Sequence, residues 1–203
     1  QIDTRIARAQ TVSISDLCTT IRPMPTISAD AEGVDVQEVG AADLPPFGYL
    51  TSPGRTVKVE PRAVIKNKHQ FLHAHDIVLI VKGSVGKVGI VSPDVPPPGP
   101  GGWVAGQSAI VLRMDPSPRL DPRALTVQLR SPLGQALLKG IVSGGSISLI
   151  QLKELNRLQV LLPDRETAER AVEALEQEAR LQRDILQLQK KQSECSAGIW
   201  QLY

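Results

Sequence analysis

Asp76-Ile77-Val78-Leu79-Ile80-Val81 decides how this chain is read, because one acid is followed by an unbroken β-branched and aliphatic run. A strand with one wet face alternates apolar and polar residues, so a continuous run predicts a strand buried on both faces. Gly83 and Gly86 bound a turn, and Val85 to Val91 supplies a second strand, so the pair reads as a buried hairpin.

Upstream, Val34 to Val39 and Thr56 to Val59 are β-prone within an Asp-, Gly- and Pro-rich region from Ile27 to Pro61, which predicts short strands joined by loops. Between Gln1 and Thr20, Ser13-Ile14-Ser15-Asp16-Leu17 reads as a cap before a short helix. Downstream, Pro93 to Gly102 lacks amide donors at its prolines and predicts an exposed loop, after which Trp103 to Met114 returns to strand. Leu125, Leu129, Leu133 and Leu137, interrupted by Ser131-Pro132, predict two short helices. A loop at Ser143-Gly144-Gly145-Ser146, a short helix from Leu152 and a strand at Leu158 to Leu162 follow.

After Pro163 the composition changes, since residues 164 to 194 contain neither Gly nor Pro. Ala168, Val172, Leu175, Ala179, Leu181, Ile185 and Leu188 recur every three or four residues among charged and amide side chains. That spacing predicts one helix about 45 Å long at ~1.5 Å per residue, with more apolar stripe than a small domain can cover. Val172, Leu175, Ala179, Leu181, Ile185 and Leu188 are the expected pairing residues, and the mate is another helix, from the chain's own fold or from a partner subunit. The expected fold is mixed α/β. Residues 1–163 form a compact domain of short strands and helices, and 164–203 carry one long C-terminal helix for coiled-coil pairing.

With 41% hydrophobic and 22% charged residues among 203, the chain has the balance of a soluble protein with one sizeable core. No run reaches the roughly 18 apolar residues a membrane span needs, and the N-terminus lacks a signal-peptide layout, so a cytoplasmic protein is expected. Cys18 and Cys195 show no ligand spacing and read as free thiols. Gln1 in place of a methionine points to a trimmed chain or the tail of a longer polypeptide.

Several motifs fail on inspection. Gly83-Ser84-Val85-Gly86-Lys87 lacks both the upstream Gly and the following Ser or Thr of a phosphate-binding loop. Asp43-Leu44-Pro45-Pro46-Phe47 is spoiled as a base-clamping methyltransferase tetrad by Leu44, and no βαβ unit precedes it. His69, His73 and His75 have no carboxylate or thiolate pattern around them, so neither a metal nor a cofactor is expected. No nucleophile and base pairing emerges, so the chain reads as non-catalytic.

A net charge of +2 does not mark a nucleic-acid binder, and local charge carries that argument. Arg55, Lys58, Arg62, Lys66, Lys68 and His69 precede the central strand, and Lys82 and Lys87 bracket the turn after it. One positive edge of this kind neutralises phosphates; the competing reading is lysines that keep loops soluble. With Phe47, Tyr49, Phe71, Trp103, Trp200 and Tyr203 the only aromatic residues, stacking on single strands is disfavoured.

The run from His75 to Val91 resembles the central signature of the recognition domains of type I restriction-modification specificity subunits. Further pieces agree in order. Gln107 through Arg113 resembles the next strand, and Asp121-Pro122 through Ser131-Pro132-Leu133-Gly134-Gln135 resembles the helical stretch. Gly144-Gly145-Ser146-Ile147-Ser148-Leu149-Ile150 and Leu155 through Pro163 resemble the glycine loop and closing segment.

The resemblance implies a recognition domain that reads one half of a split duplex DNA target. It also implies a helical spacer that docks DNA adenine methyltransferase (modification) subunits and, in the full system, a restriction subunit. The family has two recognition domains and two helices where this chain has one of each. That departure implies a half-subunit that dimerises through its helix, or the specificity tail of a fused methyltransferase. A coiled-coil adaptor that binds protein is the reading from another class. Expected DNA contacts are Arg55, Lys58, Lys66, Asn67, Lys68, His69, Lys82, Ser84 and Lys87, with Asn67, Gln107 and Arg113 as the base readers.

Overall fold

A computed structural model describes residues 10–115, 119–144 and 147–197. The hairpin lies at its centre. Strand β5 (Ile77–Ile80) pairs antiparallel with β6 (Val88–Ile90) on one side and β8 (Ala109–Met114) on the other, and β2 (Cys18–Ile21) closes a four-stranded sheet ordered β2-β8-β5-β6. All four residues of β5 are fully buried. Ile77 and Leu79 enter one core cluster and Val78 and Ile80 another, the expected result of period-2 side chains in a strand covered twice.

The first cluster lies under helices α2 (Pro122–Arg130), α3 (Pro132–Gly140) and α4 (Leu152–Arg157). Asp121 and Ser131 cap α2 and α3 through bonds from the Arg123 and Gly134 amides, and a proline opens each helix where a missing N–H costs nothing. Gly134 lets the helices meet: a Cβ there would strike Gln128 O and Leu129. The second cluster joins the sheet to a three-stranded one ordered β4-β3-β7, with β3 (Val34–Val39) antiparallel to β4 (Arg55–Val59) and parallel to β7 (Trp103–Ala105).

Two-stranded pairs complete the body. β1 (Thr11–Ser13) pairs with β11 (Gln159–Leu161), and β9 (Val142–Ser143) with β10 (Leu149–Ile150). Ser13 caps a single 3-10 turn at Ile14–Asp16 where a helix is expected. Trp103 to Met114 is two strands separated by Gly106 to Ser108, and the loop at Ser143 to Ser146 lies partly outside the described residues.

Helix α5 (Arg165–Ala197) is capped by Asp164, whose carboxylate accepts from the Thr167 amide. Its first half packs on the body. Leu175 and Ala179 are buried with Tyr49 and Ile90, and Val172 packs on the first cluster, so these three expected pairing residues are covered within the chain itself. Leu181, Ile185, Leu186 and Leu188 are more than half exposed on the second half, which projects beyond the body. Among the described residues no helix is long and apolar enough to cross a membrane.

One ion pair braces the central strand. Asp76, with its side chain 3% exposed, receives Arg113 Nε at 2.9 Å and Nη2 at 2.6 Å, while the same guanidinium donates to His69 O at 2.8 Å and Phe71 O at 2.7 Å. The His73 amide also donates to Asp76 at 2.7 Å. Replacing Arg113 by leucine leaves a buried carboxylate uncompensated and should destabilise the chain by about 3–5 kcal/mol. Denaturant unfolding of R113L checks this; a midpoint unchanged from the parent would show that the pair does not brace the strand.

Candidate nucleic-acid interface

Strand ends from both sheets converge on a groove of about 620 Å³. Glu38 and Val39 end β3, Arg55 begins β4, Ile80 ends β5, and Gly106 to Ala109 link β7 to β8. Lys82 and Ser84 enter from the glycine turn, so Arg55, Lys82, Ser84 and Gln107 share one concave surface.

The turn is held rigidly. Gly83 (φ 77°) and Gly86 (φ 91°) occupy the left-handed region that side chains disfavour. The Gly86 amide donates to Ile80 O at 3.0 Å and the Gly83 amide to Ser148 O at 3.1 Å. Gln135 Nε2 on α3 donates to Gly86 O at 3.0 Å and Leu129 O at 2.8 Å, fixing the turn to the helical layer.

Charge is distributed differently from the single positive edge read in the sequence. Arg55 faces Glu38 across the β3–β4 ladder at 3.0 Å, but at 74% exposure this pair adds little stability and leaves guanidinium donors over. Lys58 Nζ donates to Ala31 O at 3.2 Å and Lys87 Nζ to Ala41 O at 3.1 Å. Gln107 Nε2 commits a hydrogen to Met24 O at 2.8 Å. Arg113 is the correction: four of its five N–H donors go to Asp76, His69 and Phe71, so its place is bracing the domain.

Lys66, Asn67, Lys68 and His69 lie beyond the far end of β4, apart from the groove residue Arg55 at its start. This stretch is helix α1 (Pro61–Lys66) followed by a 3-10 turn at Lys68–Gln70. Pro61 opens the helix, and Ala63 and Val64 pack on the small cluster of Met24, Val36, Val59, Phe71 and Val104. Arg62, Ile65, Lys66, Lys68 and His69 are exposed, and among the described residues their side chains and that of Lys82 make no hydrogen bond or ion pair.

No family model and no curated protein matches this sequence. Solved structures do match. The HsdS subunit from Thermoanaerobacter tengcongensis superposes with a TM-score of 0.54 at 20% identity, over 93% of this chain and 41% of that one. A chain from a structure of complex assembly and conformational transition in the type I R-M system gives 0.55 at 21%, over 93% and 42%. The chain has the type I specificity-subunit fold. It spans about two fifths of the length of these two neighbours.

Within this specificity-subunit fold, the seam that docks α5 is polar as well as apolar, and the sequence reading missed it. Glu178 accepts from the Gly48 amide at 3.0 Å, Gln182 exchanges two bonds with the Tyr49 backbone, and the Tyr49 hydroxyl donates to Glu176 at 2.7 Å. Arg130, 12% exposed, donates to Val88 O, Gly48 O and Pro45 O and lies 3.6 Å from Glu178, joining four segments. Glu176, Glu178 and Gln182 flank the apolar stripe at helical spacing, which was the available signal for docking.

His75 stands beside this seam with φ 65°, its ring 5.9 Å from that of Tyr49. Burial and the nearby Arg123 hold its pKa below the ordinary value, and burial with Arg113 does the same to His73. The Tyr49 hydroxyl and Arg123 hold Glu176 low; burial pushes Asp121 up, but bonds from Arg123 outweigh it and hold it low. All four groups bind protons more readily when unfolded, so each adds stability above its unfolded pKa that is lost as pH falls. The thermal midpoint should be level above neutrality, drop as pH passes below about 6.5, and drop again in the carboxylate range. Replacing His73 and His75 by asparagine, which tolerates the left-handed region, should remove the first drop; a midpoint rising on acidification contradicts this assignment.

Proposed function

We propose that this chain is the DNA-recognition component of a type I-like restriction-modification system. The observation that carries the proposal is the likeness over 93% of the chain to an HsdS subunit. Two cationic surfaces add to it, the strand-end groove with Arg55 and Lys82 and the α1 region with Lys66 and Lys68. In this reading the chain contacts duplex DNA and performs no chemistry. A partner modification subunit transfers the methyl group to adenine, and a restriction subunit joins the same assembly.

A second copy of the chain covers the projecting half of α5. Ala174, Leu181, Leu188 and Cys195 are exposed and recur every seven residues, with Ile185 between them. The docked half carries Glu166, Glu169, Glu173, Glu176 and Glu178 against Arg165, Arg170 and Arg180, and the free half Arg183, Lys190 and Lys191 against Asp184 and Glu194, so the first is net acidic and the second net basic. Antiparallel pairing sets the basic half of each helix against the acidic half of the other. A two-fold pair of readers then takes a palindromic, interrupted target.

Sedimentation should give a dimer that becomes a monomer in L181E/L188E with the thermal midpoint preserved. Antiparallel copies aligned in this way hold their Cys195 thiols about 40 Å apart at ~1.5 Å per helical residue, so oxidation should leave the dimer uncrosslinked. A monomeric parent, or rapid Cys195 crosslinking, contradicts this pairing. The DNA reading is checked by titrating a random duplex at low salt. Replacing Lys68 and Lys82 by alanine should lower the slope of log affinity against log salt by about 1.8. Failure of the parent chain to bind any duplex overturns the function.

A further inference from the structure

We infer that helix α1 is a base-reading element, with Ile65 in contact with the 5-methyl group of a thymine in the major groove. This rests on the duplex-recognition reading above. Ile65 is 84% exposed, the most exposed large apolar side chain among the described residues. A lone apolar residue at a surface is ordinary, and what singles this one out is its surroundings.

Residues 62, 65 and 66 follow the i, i+3, i+4 spacing of a single helical face, placing Arg62 and Lys66 beside Ile65, and the 3-10 turn that follows the helix carries the exposed Lys68 and His69. None of these four side chains has a hydrogen-bond or ion-pair partner among the described residues. Folding does not require the isoleucine, because Ala63 and Val64 supply the face that packs on Met24, Val59 and Phe71.

The occupant that fits is a polyanion with recessed apolar groups. Phosphates satisfy the cations, and the thymine methyl is the apolar mark that the major groove displays. An α-helix is about 10–12 Å across with its side chains and the major groove is about 12 Å wide, so the element fits in it. Asn67, immediately after the helix, has the amide geometry that pairs with adenine. Base contacts thus fall to a projecting helix, whereas the groove residues Arg55, Lys82 and Ser84 follow the backbone.

In vitro selection from a random duplex pool with the full chain yields the preferred sequence, and each thymine in it is then exchanged singly for deoxyuridine, which lacks only the methyl. At one position the parent chain should lose about fourfold in affinity, the effect of one buried methyl. Ile65→Ala should bind the thymine and deoxyuridine duplexes equally, with an unchanged thermal midpoint because the side chain is exposed. Equal thymine-to-deoxyuridine ratios at every position for parent and variant overturn this inference, leave DNA recognition standing, and assign Ile65 to a protein contact. A parent chain that enriches no sequence overturns the recognition reading itself.

Discussion

A strand with no wet face has to be covered twice, and β5 imposes that demand on the rest of the chain. Ile77 and Leu79 draw the helices α2 to α4 onto one side, and Val78 and Ile80 draw the β4-β3-β7 sheet onto the other. The acid at the mouth of this strand would be an uncompensated charge in an apolar layer. Arg113 on β8 neutralises it and gathers the His69 and Phe71 carbonyls, so the strand edge and the segment after α1 are fixed together. The two cationic surfaces are therefore presented by a rigid frame and not by independent loops.

The long helix obeys a second constraint. Its stripe is too long for the body, and the fold resolves this by dividing it: Val172, Leu175 and Ala179 are used internally, while Leu181, Ile185 and Leu188 remain uncovered. The internal contact is reinforced by oriented polar bonds from Glu176, Glu178 and Gln182, which fix the direction in which the free half leaves the body. A helix held that way can set a distance, which apolar contact alone, being non-directional, specifies poorly.

Much of this was legible. The unbroken run at Ile77 to Ile80 announced burial on both faces, and Asp121-Pro122 and Ser131-Pro132 announced two helix starts, because local chemistry dictates each. Pairings between distant segments were not, such as the parallel β3–β7 contact, since no residue in either strand encodes its neighbour. Helix α1 escaped notice because six residues are too few to show a period. Arg113 was misread for a related reason: an arginine at a strand end looks like a free donor until Asp76 is found opposite it. For the long helix the apolar spacing was plain, but an apolar stripe does not say whether the covering surface is the chain's own body or another molecule.

We propose that two copies of this domain, held apart by paired helices, recognise the two halves of one DNA site. Hydroxyl-radical footprinting of the full chain on its selected duplex tests this most directly. Two protected patches related by a dyad and separated by an open spacer are predicted. A single protected patch, or uniform protection along the duplex, would contradict the account.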